Sequence, residues 1–236
     1  DQPEAYRALS SKGLIGGVIV QFPRHDDPRP ALLDRIGLPY VVHGRVTGHD
    51  GPYSWVDVNN LRAFERGTGF LMQLGHLRIA LLNGDERLDF ARRRRDGYLR
   101  ALRDAGHAPR PALMTTGEMT AAYGYAQARA LLAGPEAPTA FLCAATMIAT
   151  GVRQAIEERG LVLGRDVSVL TFDDDLSYYA NRDAVPVFSA MRSPVRVAGA
   201  RCAALLIDRI TGGPGDPVQE LLEAELVVGR STAPPA

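Results

Sequence analysis

The stretch Ser168-Val-Leu-Thr-Phe-Asp-Asp-Asp175 sets an apolar run directly against three carboxylates. Such a run reads as a buried parallel strand, and its carboxyl tip is where open α/β sheets receive ligands. Phe172 and Asp173 are therefore candidate ligand contacts. The same residues also read as a solvated acidic turn or as a cap on the next helix. A Mg²⁺ site is disfavoured because successive strand residues point to opposite faces, and no second acidic cluster follows another strand. Four arginines, Arg92 to Arg95, form the second anomaly. The pattern puts them in the first turn of a helix, where the macrodipole disfavours cations. Asp85, Glu86, Asp89 and Asp96 can balance three of them. The fourth, directed at the tip of the preceding strand, is left to face a cleft, where an arginine fork suits vicinal hydroxyls or a carboxylate.

Other reactive residue types point less far. His76 follows Gly75, and a histidine is the usual general base. The simpler reading is a helix stop followed by a histidine that satisfies backbone carbonyls. Trp55 is the best candidate for a cleft aromatic, and the tyrosines, including Tyr178 and Tyr179, read as core or interface residues. No dinucleotide, phosphate-loop, nucleophile-elbow or zinc-protease signature is present. No metal ligand set, cofactor or catalytic residue is expected.

The elements that must hold these residues alternate. Strand-like runs (Gly17–Val20, Tyr40–Val42, Arg78–Leu82, Thr139–Ala144, Val167–Phe172) are separated by helix-like ones (Ala31–Ile36, Ala63–Leu74, Arg92–Ala105, Ala122–Leu132, Ile148–Arg159, Val195–Ile210). The tail Leu221–Val228 has strand character. This alternation predicts right-handed βαβ units and parallel sheets. Two stretches, Arg45–Tyr53 and Pro186–Pro194, read as crossovers, which predicts two α/β lobes with a cleft between them. The expected division is residues 1–58 with 189–213, and residues 59–188 with 214–236.

Composition sets the outer bounds. Lys plus Arg equals Asp plus Glu, 27 of each in 236 residues, so nothing marks this chain as a phosphate-binding surface. Cys143 and Cys202 lie in apolar settings and read as reduced core residues rather than a disulfide. No apolar run approaches the roughly 18 residues of a membrane span. The opening Asp1-Gln-Pro-Glu4 lacks signal-peptide features, and a cytoplasmic location is expected.

Taken in order, the pieces resemble the effector-binding domain of the LacI/GalR family of bacterial transcription regulators. The matching runs are Gly16–Val20, Pro39–Arg45, Val56-Asp-Val-Asn-Asn60, Leu74-Gly-His-Leu-Arg-Ile79, Arg94-Arg-Asp-Gly-Tyr98, Asp166–Asp174 and Arg230-Ser-Thr-Ala-Pro-Pro235. The resemblance implies a type I periplasmic-binding-protein-like fold that closes on a small molecule, usually a sugar. It assigns effector contacts to Arg94, three residues before Gly97, and to Asp173, the first Asp after Phe172. Their chemistry is complementary: the carboxylate accepts from hydroxyls while the guanidinium donates to neighbouring oxygens.

Departures from the family pattern fall on three further contact positions. Ala145 stands where an effector-binding Asn is usual, Asn59 replaces an Asp, and Met119 falls where some members place an aromatic. Losing one neutral hydrogen bond costs about 1 kcal/mol, enough to redirect specificity. The resemblance also implies a helix-turn-helix and an initial β-α-β unit upstream. Neither is visible in these residues, so the first lobe is expected to be partial. The implied partners are operator DNA through that upstream part, a second copy of the chain, and a carbohydrate-like effector. Alternatives are a transport-type solute-binding protein and a small hydrolase using Asp173 with His76.

Overall fold

The alternation of buried strands and amphipathic helices appears directly in the computed structural model, which describes residues 2–11, 13–49, 51–173, 181, 183–212 and 215–235. The first elements in chain order are α1 (Gln2–Ser11), β1 (Val18–Val20), α2 (Arg29–Ile36), β2 (Tyr40–His43), β3 (Trp55–Val58) and α3 (Asn60–Gln73). There follow β4 (Ile79–Asn83), α4 (Asp89–Asp104), β5 (Met114–Thr116), α5 (Ala121–Ala133), β6 (Ala140–Cys143) and α6 (Thr146–Glu158). The last are β7 (Ser168–Asp173), β8 (Ser189–Arg192), α7 (Val195–Gly212), β9 (Gln219–Leu222) and β10 (Glu225–Val227).

These elements form two units. The first comprises Asp1–Val58, Arg87–Phe90 and Val195–Leu222. Its sheet runs β1-β2-β3-β9, with every pairing parallel. Apolar side chains fill both faces: Val20, Leu33, Tyr40 and Val42 cluster on one, and Val41, Val56, Ala198, Cys202 and Leu205 on the other. Successive valines of β2 thus serve opposite cores, as the strand period of two requires.

The second unit comprises Asn59–Glu86, Ala91–Pro194 and Glu223–Ala236. Its sheet has the order β10-β8-β7-β6-β4-β5. All pairings are parallel except that of β10 with β8. Strands β4, β6 and β7 are buried along their whole length, which is why they read as unbroken apolar runs. The chain leaves β4 towards β5 on one side and returns across it to β6 on the other. The carboxyl ends of β4 and β6 therefore flank a topological switch point, the place where such sheets bind ligands. Gly97 lets α4 lie tightly against α3, because a Cβ there would collide with the Leu61 carbonyl oxygen and the Glu65 backbone nitrogen.

Strand pairing redraws several expected boundaries. The segment Ser189–Arg192 pairs with β7 and joins the second unit, although 189–213 was expected to accompany the first. The tail expected as one strand, Leu221–Val228, is two. Strand β9 pairs with β3 in the first unit and β10 pairs with β8 in the second. The run Arg45–Tyr53 is not a crossover. Its described residues stay within the first unit, where the Val46 N–H donates to Tyr53 Oη at 2.8 Å. Chain passages between units instead follow Val58, Pro194 and Leu222, with residues 87–90 as a short excursion. Helix α4 starts at Asp89 rather than Arg92. An acidic first turn complements the helix dipole and moves the arginines into the body of the helix.

Candidate functional site

Arg94 is the arginine that the sequence left over, and it is 6% exposed. Its Nε donates to Asn60 Oδ1 at 2.7 Å, and its Nη1 donates to the Ala144 carbonyl oxygen at 2.7 Å, just past β6. The guanidinium carbon lies 3.9 Å from the Phe172 ring centroid and 5.4 Å from that of Phe64. Aromatic faces attract a cation most strongly where water is excluded. Helix α3 supplies both Asn60 and Phe64, one turn apart on the same face, while β7 supplies Phe172. Three elements thus hold one planar cation at the switch point. Its neighbours behave as balanced charges should: Arg95 pairs with Glu86, and Arg92 Nε donates to the Glu86 carbonyl.

Asp173 closes β7 and is 3% exposed. It follows Phe172, so the two side chains leave opposite faces of the strand. On its face, Thr146 Oγ1 of α6 donates to Asp173 Oδ1 at 3.5 Å. Its register partner on β8 is Arg192, whose buried Nε has no hydrogen-bond partner. Ala145 occupies the N-cap position of α6 with extended backbone and no side-chain cap. Asn83, fully buried at the end of β4, donates through Nδ2 to the Ala91 carbonyl at 2.8 Å, while its Oδ1 has no partner.

Asn59, Met119 and Trp55 have the following places in their own units. Asn59 caps α3 by accepting from the Arg62 N–H and donates to Glu223 Oε1 at 2.9 Å, a structural use of its amide. Met119, half-buried, lies between β5 and α5 on the edge of the same sheet. Trp55 is in strand β3 of the first unit, not on a crossover, and packs on that unit's core with the Arg45 guanidinium 5.2 Å from its ring. Asp174, Asp175, Tyr178 and Tyr179 lie outside the described residues.

His76 is a satisfied core histidine, as expected, but its partners are different. Nδ1 meets Thr139 Oγ1 at 3.0 Å, and Nε2 meets Ser168 Oγ at 3.0 Å and the Ala233 carbonyl at 2.9 Å. Burial pushes its pKa below the ordinary histidine value, against the opposing bond to Ala233. Ser168 begins β7 and Asp173 ends it, so the two sites are roughly 16 Å apart at 3.3 Å per residue. That separation rules out the hydrolase pairing of His76 with Asp173. Among the described residues, no group of three His, Cys, Asp or Glu side chains could hold a metal ion. No described helix is long and apolar enough to cross a membrane.

Asn60, Phe64, Thr146 and Arg192 were not singled out by sequence reasoning. A signal existed for the first two, since a polar and an aromatic residue four apart open α3 directly after the Val56–Asn59 run. Thr146 and Arg192 carried none, because their placement depends on strand register.

Comparison with known proteins points the same way. A profile described as a periplasmic binding protein-like domain matches residues 68–232. The HTH-type transcriptional regulator AglR of Rhizobium meliloti is 40% identical over 234 residues, covering 99% of this chain and 66% of its own length. A crystal structure of a LacI-family regulatory protein from Chloroflexus aggregans superposes with a TM-score of 0.84 at 29% identity, covering 98% of this chain and 82% of that one. The structure of a transcriptional regulator CelR–cellobiose complex superposes with a TM-score of 0.86 at 30% identity, covering 97% of this chain and 69% of that one. The chain therefore spans part of the length of the curated relatives it matches, 66% for the regulator AglR.

Proposed function

This chain belongs to the periplasmic binding protein-like family as a LacI-family effector-binding domain, and from that premise we propose that its effector is a sugar or related polyol held by Arg94 and Asp173. The observation that carries this reading is the buried guanidinium of Arg94, oriented by Asn60 and the Ala144 carbonyl and stacked on Phe172. Burying an ion costs free energy that protein contacts seldom recover in full. A guanidinium kept at a switch point beside the strand end that carries Asp173 is suited to a hydroxyl-rich ligand. The cellobiose complex of the similar regulator CelR supports the same chemistry. Ala145 contributes no polar group, so the ligand is oriented chiefly by the arginine and the aspartate.

The regulatory consequence follows by linkage. Operator DNA is contacted by a helix-turn-helix outside this chain, the protein works as a homodimer, and effector binding changes operator affinity by a coupling of about 1–3 kcal/mol. The decisive test is thermal stability in the presence of sugars and nucleosides. A ligand at 100 times its dissociation constant adds about 2.7 kcal/mol. A sugar is expected to give that shift in the wild-type chain and to lose it in Asp173→Ala. A shift that survives both Asp173→Ala and Arg94→Ala overturns the assignment.

A further inference from the structure

The second unit carries a recess near the amino ends of β7 and β8, at the opposite end of β7 from Asp173. It holds about 460 Å³ and is lined by Arg153 and Glu157 of α6, the run Leu161–Leu163, Val187 and Arg230. A volume of roughly 300–1,000 Å³ is usual for small-molecule sites. All of these residues belong to the second unit.

Backbone bonds fix its walls. The turn after α6 is closed by the Gly164 N–H donating to Val167 O at 2.9 Å and by the Val162 N–H donating to Asp166 Oδ2 at 2.7 Å. Gly164 has φ +80°, and a Cβ there would collide with the Arg230 carbonyl oxygen, so the turn lies directly on the segment that carries Arg230. The Arg230 N–H donates to Pro186 O at 2.9 Å, which sets it beside Val187. The apolar wall faces solvent in part, with Val162 44% exposed. Both guanidiniums keep donors in reserve. Arg153 Nε donates to Glu157 Oε1 at 2.7 Å, and Arg230 Nη2 donates to Asp183 Oδ2 at 3.4 Å. Among the described residues, neither guanidinium makes a further hydrogen bond. These pairs are exposed, with side-chain exposures of 44% and 50% in the first and 62% and 68% in the second. Exposed pairs of this kind contribute little, so a ligand can compete for either arginine. Two guanidiniums against the single carboxylate of Glu157 leave the lining one positive charge in excess.

We propose that this recess binds a small organic monocarboxylate, separately from the saccharide site. Its carboxylate is held by Arg153 and Arg230, whose planar forks match carboxylate geometry. Its apolar body lies on Leu161–Leu163 and Val187 and takes the exposed face of Val162 out of water. One excess positive charge suits a monoanion, while a dianion such as phosphate meets Glu157 with a second negative charge and offers the apolar wall nothing. Residues Ser168 to Asp173 put roughly 16 Å of strand between this end of β7 and Asp173, so the proposal does not rest on the polyol reading.

Calorimetric titration of the chain with 3-phenylpropionate, 3-phenylpropanamide and acetate tests it. Saturable binding of 3-phenylpropionate is expected at millimolar concentration. Binding about tenfold weaker is expected for the amide, which lacks the charge, and for acetate, which lacks the apolar body. The double variant Arg153→Gln with Arg230→Gln is expected to weaken 3-phenylpropionate about tenfold with the melting temperature unchanged, because both ion pairs are exposed. Val162→Ser keeps both arginines and is expected to weaken binding a few fold. Wild-type affinity in the double variant overturns the proposal, as do equal affinities for the acid and the amide or no binding of 3-phenylpropionate at all. Displacement of bound 3-phenylpropionate by a saccharide places it at the other end of β7 and also overturns the proposal. If the acid does not bind and the double variant instead changes the sedimentation of the chain, the recess joins two copies and the ligand proposal falls.

Discussion

The two ends of β7 make opposite use of burial. At Ser168 the strand begins in a neutral, closed network: its hydroxyl meets His76 and the Ala233 carbonyl, and accepts from the Ala233 N–H at 3.1 Å. At Asp173 the strand ends beside a buried carboxylate and follows a ring that stacks a buried guanidinium. Both ends are polar and both are buried. The first end is assembled from uncharged groups that find their partners within the chain, which is how buried polar atoms stabilise a fold. The second retains charge where replacement by apolar groups would often be neutral or stabilising. Retained charge, rather than burial or polarity, distinguishes the proposed binding end from the structural end of the same strand.

The sharpest way to break this contrast is Arg94→Met. Truncating a buried, hydrogen-bonded charge that faces a partner costs about 2–5 kcal/mol of binding, so the saccharide response measured by calorimetry is expected to disappear. Folding stability is expected to change by less than about 2 kcal/mol. The orphaned Asn60 and Ala144 acceptors cost stability while removal of the buried cation restores some. If urea denaturation shows Arg94→Met collapsing the fold, the carboxyl end is structural and the contrast fails.

The opposite pattern is expected at His76. His76→Ala leaves Ser168 and Thr139 short of partners and opens a cavity, which together cost about 2–4 kcal/mol of stability, with ligand affinity unchanged. The histidine also gives this end a pH signature. Burial holds its folded pKa below the ordinary value of 6.5, so below pH 6.5 the unfolded chain binds the proton more readily than the folded one. This contribution to stability is complete above pH 6.5 and is lost as pH falls from 6.5 through the folded pKa. Denaturation midpoints across pH 7 to 5 check it, and the slope attributable to His76 should vanish in the Ala variant.

Legibility in the sequence followed the same division. Long, fully buried strands such as β4 and β7 were readable because both faces are apolar. Strand β8, Ser189-Ala-Met-Arg192, has no β-branched residue and owes its pairing to β7 and β10. The tail was misread as one strand because Glu223 and Ala224 carry no turn signal, although the chain changes sheets there. Arg94 stood out because four consecutive arginines cannot all be balanced locally, and Asp173 because it closes an apolar run. Thr146 and Arg192 make contacts set by packing and register, which residue types alone do not encode.

The smallest expected effect is also the most discriminating within the carboxyl end. Helices α3 and α5 are capped by side chains, Asn59 on the Arg62 N–H and Thr120 on the Tyr123 N–H, whereas Ala145 leaves α6 without one. Ala145→Ser is expected to raise stability by about 1 kcal/mol, and the melting midpoint of a chain this size by roughly 2–4 °C. The added hydroxyl stands next in sequence to Thr146, which holds Asp173, so saccharide affinity is expected to fall a few fold. Stability and binding then move in opposite directions on one substitution. At the amino end, restoring a missing hydrogen bond would only stabilise. If Ala145→Ser raises the melting midpoint and leaves affinity untouched, Ala145 belongs to the scaffold, and the ligand is oriented from Arg94 and Asp173 alone.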